Sequence, residues 1–140
     1  MGRMIFVNLP VRDLDASAAF YEAIGAMRNP QFSDESAKSY MFSETIAVML
    51  LTHARYGEFT SRPIGDARAE SQALLAISVD SREAVDATLN AGADAGGTAD
   101  PNPPQDHGFM YSRSIEDPDG YVWELVWMDP AAVAGDMSLQ

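Results

Sequence analysis

The sequence predicts an α+β protein built from two βαβββ modules that form a curved mixed sheet around a cup. Three observations predict it. A strand followed at once by a capped helix opens the chain and returns after residue 73; strand-like pieces follow the first helix; and an Asp117-Pro118-Asp119-Gly120 corner leads into the aromatic run Tyr121-Val122-Trp123-Glu124-Leu125-Val126-Trp127. The returning pattern makes a repeat the simplest organisation: a first module over 5–53, a connector over 54–72 and a second module over 73–128.

Ile5 to Val11 alternates as a strand, with Phe6 and Asn8 on the face opposite Ile5, Val7 and Leu9, and Pro10 placing it at an edge or a bulge. Asp13 or Asp15 caps a helix over Ala16 to Ile24, with Phe20, Ala23 and Ile24 as its apolar stripe and Gly25 at its C-terminal cap. Gln31 to Ser33, Ser39 to Phe42 and Ile46 to Thr52 read as strands, the last two joined at Glu44-Thr45. Ala54 to Gln72 reads as a connector with a short helix near Asp66 to Ala69. Leu74 to Val79 is the second opening strand, Ser81 the cap of the helix behind it, Val85 and Leu89 its buried stripe and Gly92 its end. Gly96 to Gly108 reads as a loop with a short strand at 97–99. Phe109 to Ile115 and Tyr121 to Met128 then form an antiparallel pair about the Asp-Pro-Asp-Gly corner. Residues 131–140 carry no pattern and read as a loose tail.

With 140 residues and 46% hydrophobic content, the chain fits one compact domain. Nine basic residues against 21 acidic ones give a formal charge of −12, which repels phosphate backbones and anionic membrane surfaces, so neither nucleic acid nor a membrane is an expected partner. The absence of cysteine excludes disulfides, thiolate metal sites and cysteine nucleophiles. The apolar run at the N-terminus is too short for a signal peptide and no stretch suffices to span a bilayer, so a cytoplasmic protein is expected.

Glu124 poses the chemical question. Alternation puts it on one face with Val122 and Val126, opposite Tyr121, Trp123, Leu125 and Trp127, so it points into the cup. Counted the same way, that face also holds Phe6, Asn8, Val48, Leu50, Thr52, Leu74, Ala76, Ser78, Met110, Ser112 and Ser114. A mostly apolar surface with a few polar points has the composition of a small-molecule site; the alternative is a cup filled as core. A carboxylate there needs Arg113, Asn8, His107 or water, and Arg113, on the other face by alternation, would reach it only through a bulge or the sheet edge.

The repeated plan, the opening Val11-Arg12-Asp13-Leu14-Asp15-Ala16-Ser17-Ala18-Ala19-Phe20-Tyr21 and the closing Asp117 to Leu125 run resemble the vicinal oxygen chelate superfamily, the glyoxalase, bleomycin-resistance and extradiol-dioxygenase group. The resemblance covers Ile5 to Met128. It implies the paired-module fold, a homodimer, and in metal-dependent members a divalent ion held from four strands. Residue by residue, those positions fall at Phe6, near Leu50, at Leu74 and at Glu124, and only Glu124 has a donor atom. The expectation is therefore a protein without the usual metal and with no cofactor, in which Phe6, Asn8, Leu50, Leu74, Ser78, Met110, Ser112, Ser114 and Glu124 line a ligand site. The fallback is an ion held by His53, His107 and Glu124, a two-histidine, one-carboxylate set. Two functions follow from the resemblance: metal-free binding of a small organic molecule, which the acidic balance suits to cations, or a glyoxalase-like lyase or isomerase, or a related dioxygenase, with Glu124 as ligand or base.

Overall fold

In the computed structural model, which describes residues 2–132, the two modules appear as two mixed sheets, each backed by a long helix. The first contains β1 (Ile5–Val11), α1 (Leu14–Ala23), β2 (Met27–Asn29), β3 (Ala37–Ser43) and β4 (Ile46–Thr52), and the short α2 (His53–Tyr56) opens the connector. The second contains β5 (Leu75–Ser78), α3 (Arg82–Asp94), β6 (Thr98–Ala99), β7 (Gln105–Asp106), β8 (Met110–Glu116) and β9 (Val122–Met128). Strand order is β1-β4-β3-β2 in one sheet and β5-β9-β8-β6 in the other, with β7 also paired to β8. The opening strand pairs parallel with the closing strand in both modules.

The helices start where the sequence says they should. The Asp13 carboxylate accepts the backbone N–H groups of Asp15 and Ala16, and the Ser81 hydroxyl accepts that of Ala84, filling donors that a helix start leaves open. Gly25, at φ +107°, turns the chain out of α1. Gly92 behaves differently from the expected terminator, because α3 runs on to Asp94 and Gly92 is buried within it. A Cβ there would collide with Ile115 and Ile24, so the missing side chain serves close packing of the two modules, and Gly96, at φ +102°, makes the exit.

Other differences have local causes. The strand expected at Gln31 to Ser33 is a 3-10 turn over Pro30–Phe32, in which the Asn29 side chain accepts from the Gln31 N–H; the strand precedes it at Met27–Asn29. β6 and β7 are two pieces of one broken edge strand, interrupted by the proline-rich 100–104 segment and both held by β8, so strand structure extends past the expected 97–99. The expected helix near Asp66 to Ala69 is a single turn closed by Ala69 N–H and Glu70 N–H on the Asp66 carbonyl. Ala131 and Ala132 turn back on Asp129, and the rest of the expected loose tail lies outside the described residues.

One core serves both modules. Leu9, Val11, Tyr40, Val48 and Leu50 from the first sheet and Ile115, Trp123 and Leu125 from the second meet Phe20, Tyr21, Val85 and Leu89 of the helices. Each sheet therefore has a helix-covered face and a face turned away from the helices, here termed the open face. In register, Leu9 lies beside Leu50 and Ile77 beside Leu125. Aligning Val11 with Val79 thus matches Leu50 to Leu125, both fully buried.

Candidate functional site

The same alignment organises the open faces. Asn8 stands beside Met49 and Ala76 beside Glu124, so the internal counterpart of Glu124 is Met49 and that of Phe6 is Leu74. Glu124 is half-buried between Ala76 and Ser114, and among the described residues no hydrogen bond or ion pair reaches its carboxylate. As alternation requires, Trp123 and Leu125 turn into the core and Tyr121 and Trp127 pack against it.

Of the second-module candidates, Ser78 and Met110 share the open face with Glu124, and Leu74, just before β5, is 59% exposed. Ser112 and Ser114 face the same way but are buried: Ser114 donates to the Asn102 carbonyl and accepts the Asn102 N–H, and Gln105 lies opposite Ser112. They support the folded-over edge segment and do not line open surface. In the first module Phe6 and Asn8 are exposed on the open face.

Leu50, Val48 and Thr52 overturn their assignments. Leu50 and Val48 are buried in the helix-side core, and Thr52 stands beside Val11 and caps α2 through its hydroxyl. Both faces of β4 carry apolar side chains, so alternation gave the strand a period without a direction. Ala47, Met49 and Leu51 are its open-face residues, and counting from Glu124 through the repeat would have identified Met49.

Arg113 does not approach Glu124. Its guanidinium is spread across the helix side, 2.9 Å from an Asp86 oxygen and 2.6 Å from an Asp100 oxygen, and these carboxylates hold its pKa above the usual arginine value. Asp100, at φ +54°, is held in a left-handed conformation by this pairing. The fallback ion site fails too. His53 begins α2, His107 lies between β7 and β8 against the ring of Phe109, and among the described residues no three His, Asp or Glu side chains gather as a metal site would require. At the four positions the family uses, the chain offers two hydrocarbon side chains, Phe6 and Leu74, one thioether, Met49, and one carboxylate, Glu124. That donor set does not fit a tightly held divalent ion, which takes three or four nitrogen, oxygen or thiolate ligands.

Two cavities adjoin these faces. One of about 550 Å³ lies between Val7 to Pro10 of β1, the start of β9 at Gly120 to Val122, and the connector from Thr60 to Ala73. Gly120 permits this closure, because a Cβ there would strike Arg68 as the connector passes over the corner. The other, of about 330 Å³, sits on the first sheet's open face among Asn8, Met49, Leu51, Phe32, Arg55 and Phe59. The Arg55 guanidinium lies 5.2 Å from the centre of the Phe59 ring, with Glu58 at 3.4 Å. Phe59 is exposed, whereas Tyr111 and Trp127 lie beneath the Arg82 guanidinium.

The corner that positions β9 is itself a polar joint between modules. Asp117 accepts the Tyr21 hydroxyl at 2.6 Å and the N–H groups of Asp119 and Tyr121; Tyr21 in turn accepts the Trp123 indole N–H at 3.0 Å. Asp119 accepts the Arg12 N–H and the Ser17 hydroxyl. Burial, offset in part by these donors, pushes the Asp117 pKa up to about 6. Ser17, Tyr21 and Asp117 are fully or nearly fully buried. This joint holds α1 against the start of β9 and so fixes where Glu124 sits relative to the first module.

Solved structures with this arrangement come from several bacteria. A hypothetical protein of S. aureus aligns with a TM-score of 0.74 at 24% identity, covering 91% of this chain and 95% of that one. A glyoxalase/bleomycin resistance protein/dioxygenase family enzyme of Burkholderia phytofirmans PsJN gives 0.72 at 22%, covering 91% and 99%. The fosfomycin resistance protein FosX of Listeria monocytogenes gives 0.64 at 21%, covering 91% and 93%. No curated protein matches the chain. No helix among the described residues is long and apolar enough to cross a membrane. The model of the Glyoxalase/Bleomycin resistance protein/Dioxygenase superfamily matches residues 3–125, nearly the whole of both modules, and the chain belongs to that superfamily.

Proposed function

We propose that this chain binds a small organic molecule against the open faces of its sheets, without a tightly held metal ion, and that Glu124 orients the ligand. The observation that carries this reading is the half-buried carboxylate itself, set between Ala76 and Ser114 on a face it shares with Val122 and Val126, with no partner among the described residues. A carboxylate in such surroundings gains most from a ligand that brings a cation or a strong hydrogen-bond donor. Glu116 also lies at an open-face position, opposite Val122, and no strand residue on these faces is basic, so the local field favours cations. A homodimer completes the reading: among the described residues no further strand pairs beyond β1 or β5 at the ends of their sheets, and Phe6 and Leu74 beside those edges are exposed.

Calorimetric titration with a cationic glycopeptide of the bleomycin type tests the proposal. Binding heat and a raised Tm are expected, with Glu124→Gln weakening the affinity about tenfold, one charge-assisted contact's worth. No heat and no Tm shift would refute binding of that class. Elemental analysis of the purified protein checks the metal-free part, which a stoichiometric divalent ion would overturn.

The same free carboxylate favours a second reading, a glyoxalase-like lyase or isomerase with Glu124 as base. Such chemistry needs a cation near the developing enediolate, and Arg113, the cation closest in sequence, is committed to Asp86 and Asp100 on the other side of the sheet. Hemithioacetal turnover on addition of Ni, Zn or Mn would establish this reading.

A further inference from the structure

The methionines are sorted. Every methionine placed in a strand, Met27, Met41, Met49, Met110 and Met128, sits at an open-face position: Met27 stands beside Met41, Met41 beside Ala47, Ser39 beside Met49, and Met110 beside Met128 on the face of Glu124. Among the described residues the helix-side core contains none; it is built of leucine, isoleucine, valine, alanine and aromatic side chains. Branched and aromatic side chains have few rotamers and hold one packing, whereas an unbranched thioether has three rotatable bonds, a polarisable sulfur and favourable contacts with aromatic rings. The sorting runs one way: Leu51, Val122 and Val126 share the open faces with the methionines, but no strand methionine turns toward the helices. The sorted surface is also uncovered: Met27 is 74% exposed and Met128 40%. Exposed apolar area of this kind marks a binding surface.

We infer that the ligand surface is an adaptive one, suited to several unrelated flat aromatic cations and not to a single substrate. This rests on the reading of the open faces as the ligand site and adds to it the class of ligand. The methionines supply a surface that reshapes around different rings, and Glu116 and Glu124 supply the charge preference. Arg55, the basic residue at the first sheet's cavity, is countered by Glu58.

The test is a set of titrations of the full chain with rhodamine 6G, crystal violet and ethidium, three cations of different skeletons, and with anionic fluorescein. The wild type is expected to bind the three cations with Kd values within about tenfold of one another and to bind fluorescein at least about tenfold more weakly. In Met49→Leu/Met110→Leu/Met128→Leu, which conserves volume, the spread is expected to exceed about tenfold because at least one cation loses its fit, while Tm stays put. A wild type that takes only one of the cations, a triple variant that takes all of them unchanged, or dye binding that appears only on dilution, because a second copy covers the surface, would each overturn the inference. The Glu124→Gln variant separates this failure from that of the underlying reading. If one cation binds and Glu124→Gln weakens it, the proposed function stands and the methionine inference falls. If all three bind but ignore Glu124→Gln, the orienting role of Glu124 falls and the adaptive surface stands.

Discussion

The first and second modules are two versions of one plan, and they agree on one side and differ on the other. On the helix side, Leu50 and Leu125 occupy equivalent places and are equally buried, and Asp13 and Ser81 cap equivalent helices. On the open side, Met49 stands where Glu124 stands, and Asn8 where Ala76 stands. The two hairpin corners also differ. Glu44-Thr45 closes the first as an exposed turn, whereas Asp117 to Gly120 closes the second and reaches back to Arg12, Ser17 and Tyr21 of the first module. The helix side is thus constrained by packing that both modules share, and the open side, which carries little of that packing, is where their chemistry separates.

The largest effect should come from breaking the shared side. Leu50→Ala and Leu125→Ala should each cost about 2–5 kcal/mol in urea unfolding, the range for a leucine cut from a sealed core. Met49→Ala, one residue from Leu50 but on the open face, should cost less than about 1 kcal/mol. A Leu50→Ala variant as stable as Met49→Ala would show that Leu50 does not belong to the core and would dissolve the equivalence with Leu125.

Next comes the joint that only the second module carries. Tyr21→Phe removes the hydroxyl that donates to Asp117 and accepts from Trp123, leaving a buried indole N–H without a partner and a buried carboxylate short of one donor. A loss of about 1–3 kcal/mol is expected for each group left unsatisfied. The pH dependence follows from Asp117. Its folded pKa, about 6, lies above the 3.8 of the free side chain, so folding takes up a proton between those values. Its contribution to stability is complete below about pH 4 and declines as pH rises through 6. Asp15, Asp34, Asp86 and Asp106 are shifted the other way, below 3.8, and weaken the fold only at lower pH. The unfolding free energy should therefore fall between pH 4 and 6 in the wild type and stay level there in Asp117→Asn. A wild-type stability that climbs across that window would show Asp117 to be ionised throughout.

What could be read from the sequence follows the same division. The caps at Asp13 and Ser81, the glycine turn at Gly25 and the Asp-Pro-Asp-Gly corner were legible because each is local chemistry between neighbours. Glu124 was legible because it alternates with Trp123 and Leu125, which leaves no doubt about which face is core. Leu50 was not: β4 lies inside its sheet, Ala47 and Leu51 are nearly as buried as Val48 and Leu50, and a strand apolar on both faces does not announce its direction. Gly92 looked like a terminator because the collision it avoids involves Ile115, distant in sequence. The partner of Arg113 was hidden for a similar reason, since Asp100 reaches it through a left-handed turn that the proline-rich segment gave no cause to expect.

A smaller effect is expected at that turn. Arg113→Met should cost about 1 kcal/mol, since its partners are partly solvated, with faster amide exchange confined to residues 100–107 while the first module keeps its protection. Uniform exchange across both modules would mean that the Arg113 cluster supports the whole fold and not one edge.

The smallest change in stability should come from exchanging the two residues that distinguish the modules, Met49→Glu with Glu124→Met. Both sites are half-buried on open faces and Glu124 has no partner among the described residues, so the double variant should unfold within about 0.5 kcal/mol of the wild type. Binding should respond more strongly, because the exchange moves this carboxylate from beside Ala76 and Ser114 to beside Asn8 and Ser39 in the first sheet. Affinity for a cationic ligand should fall by about tenfold, because the carboxylate no longer shares its sheet face with Glu116. An exchange that left affinity untouched would mean that either module serves equally well as the charged side of the site. Loss of both folding and binding would mean that the open faces carry packing as demanding as the core's.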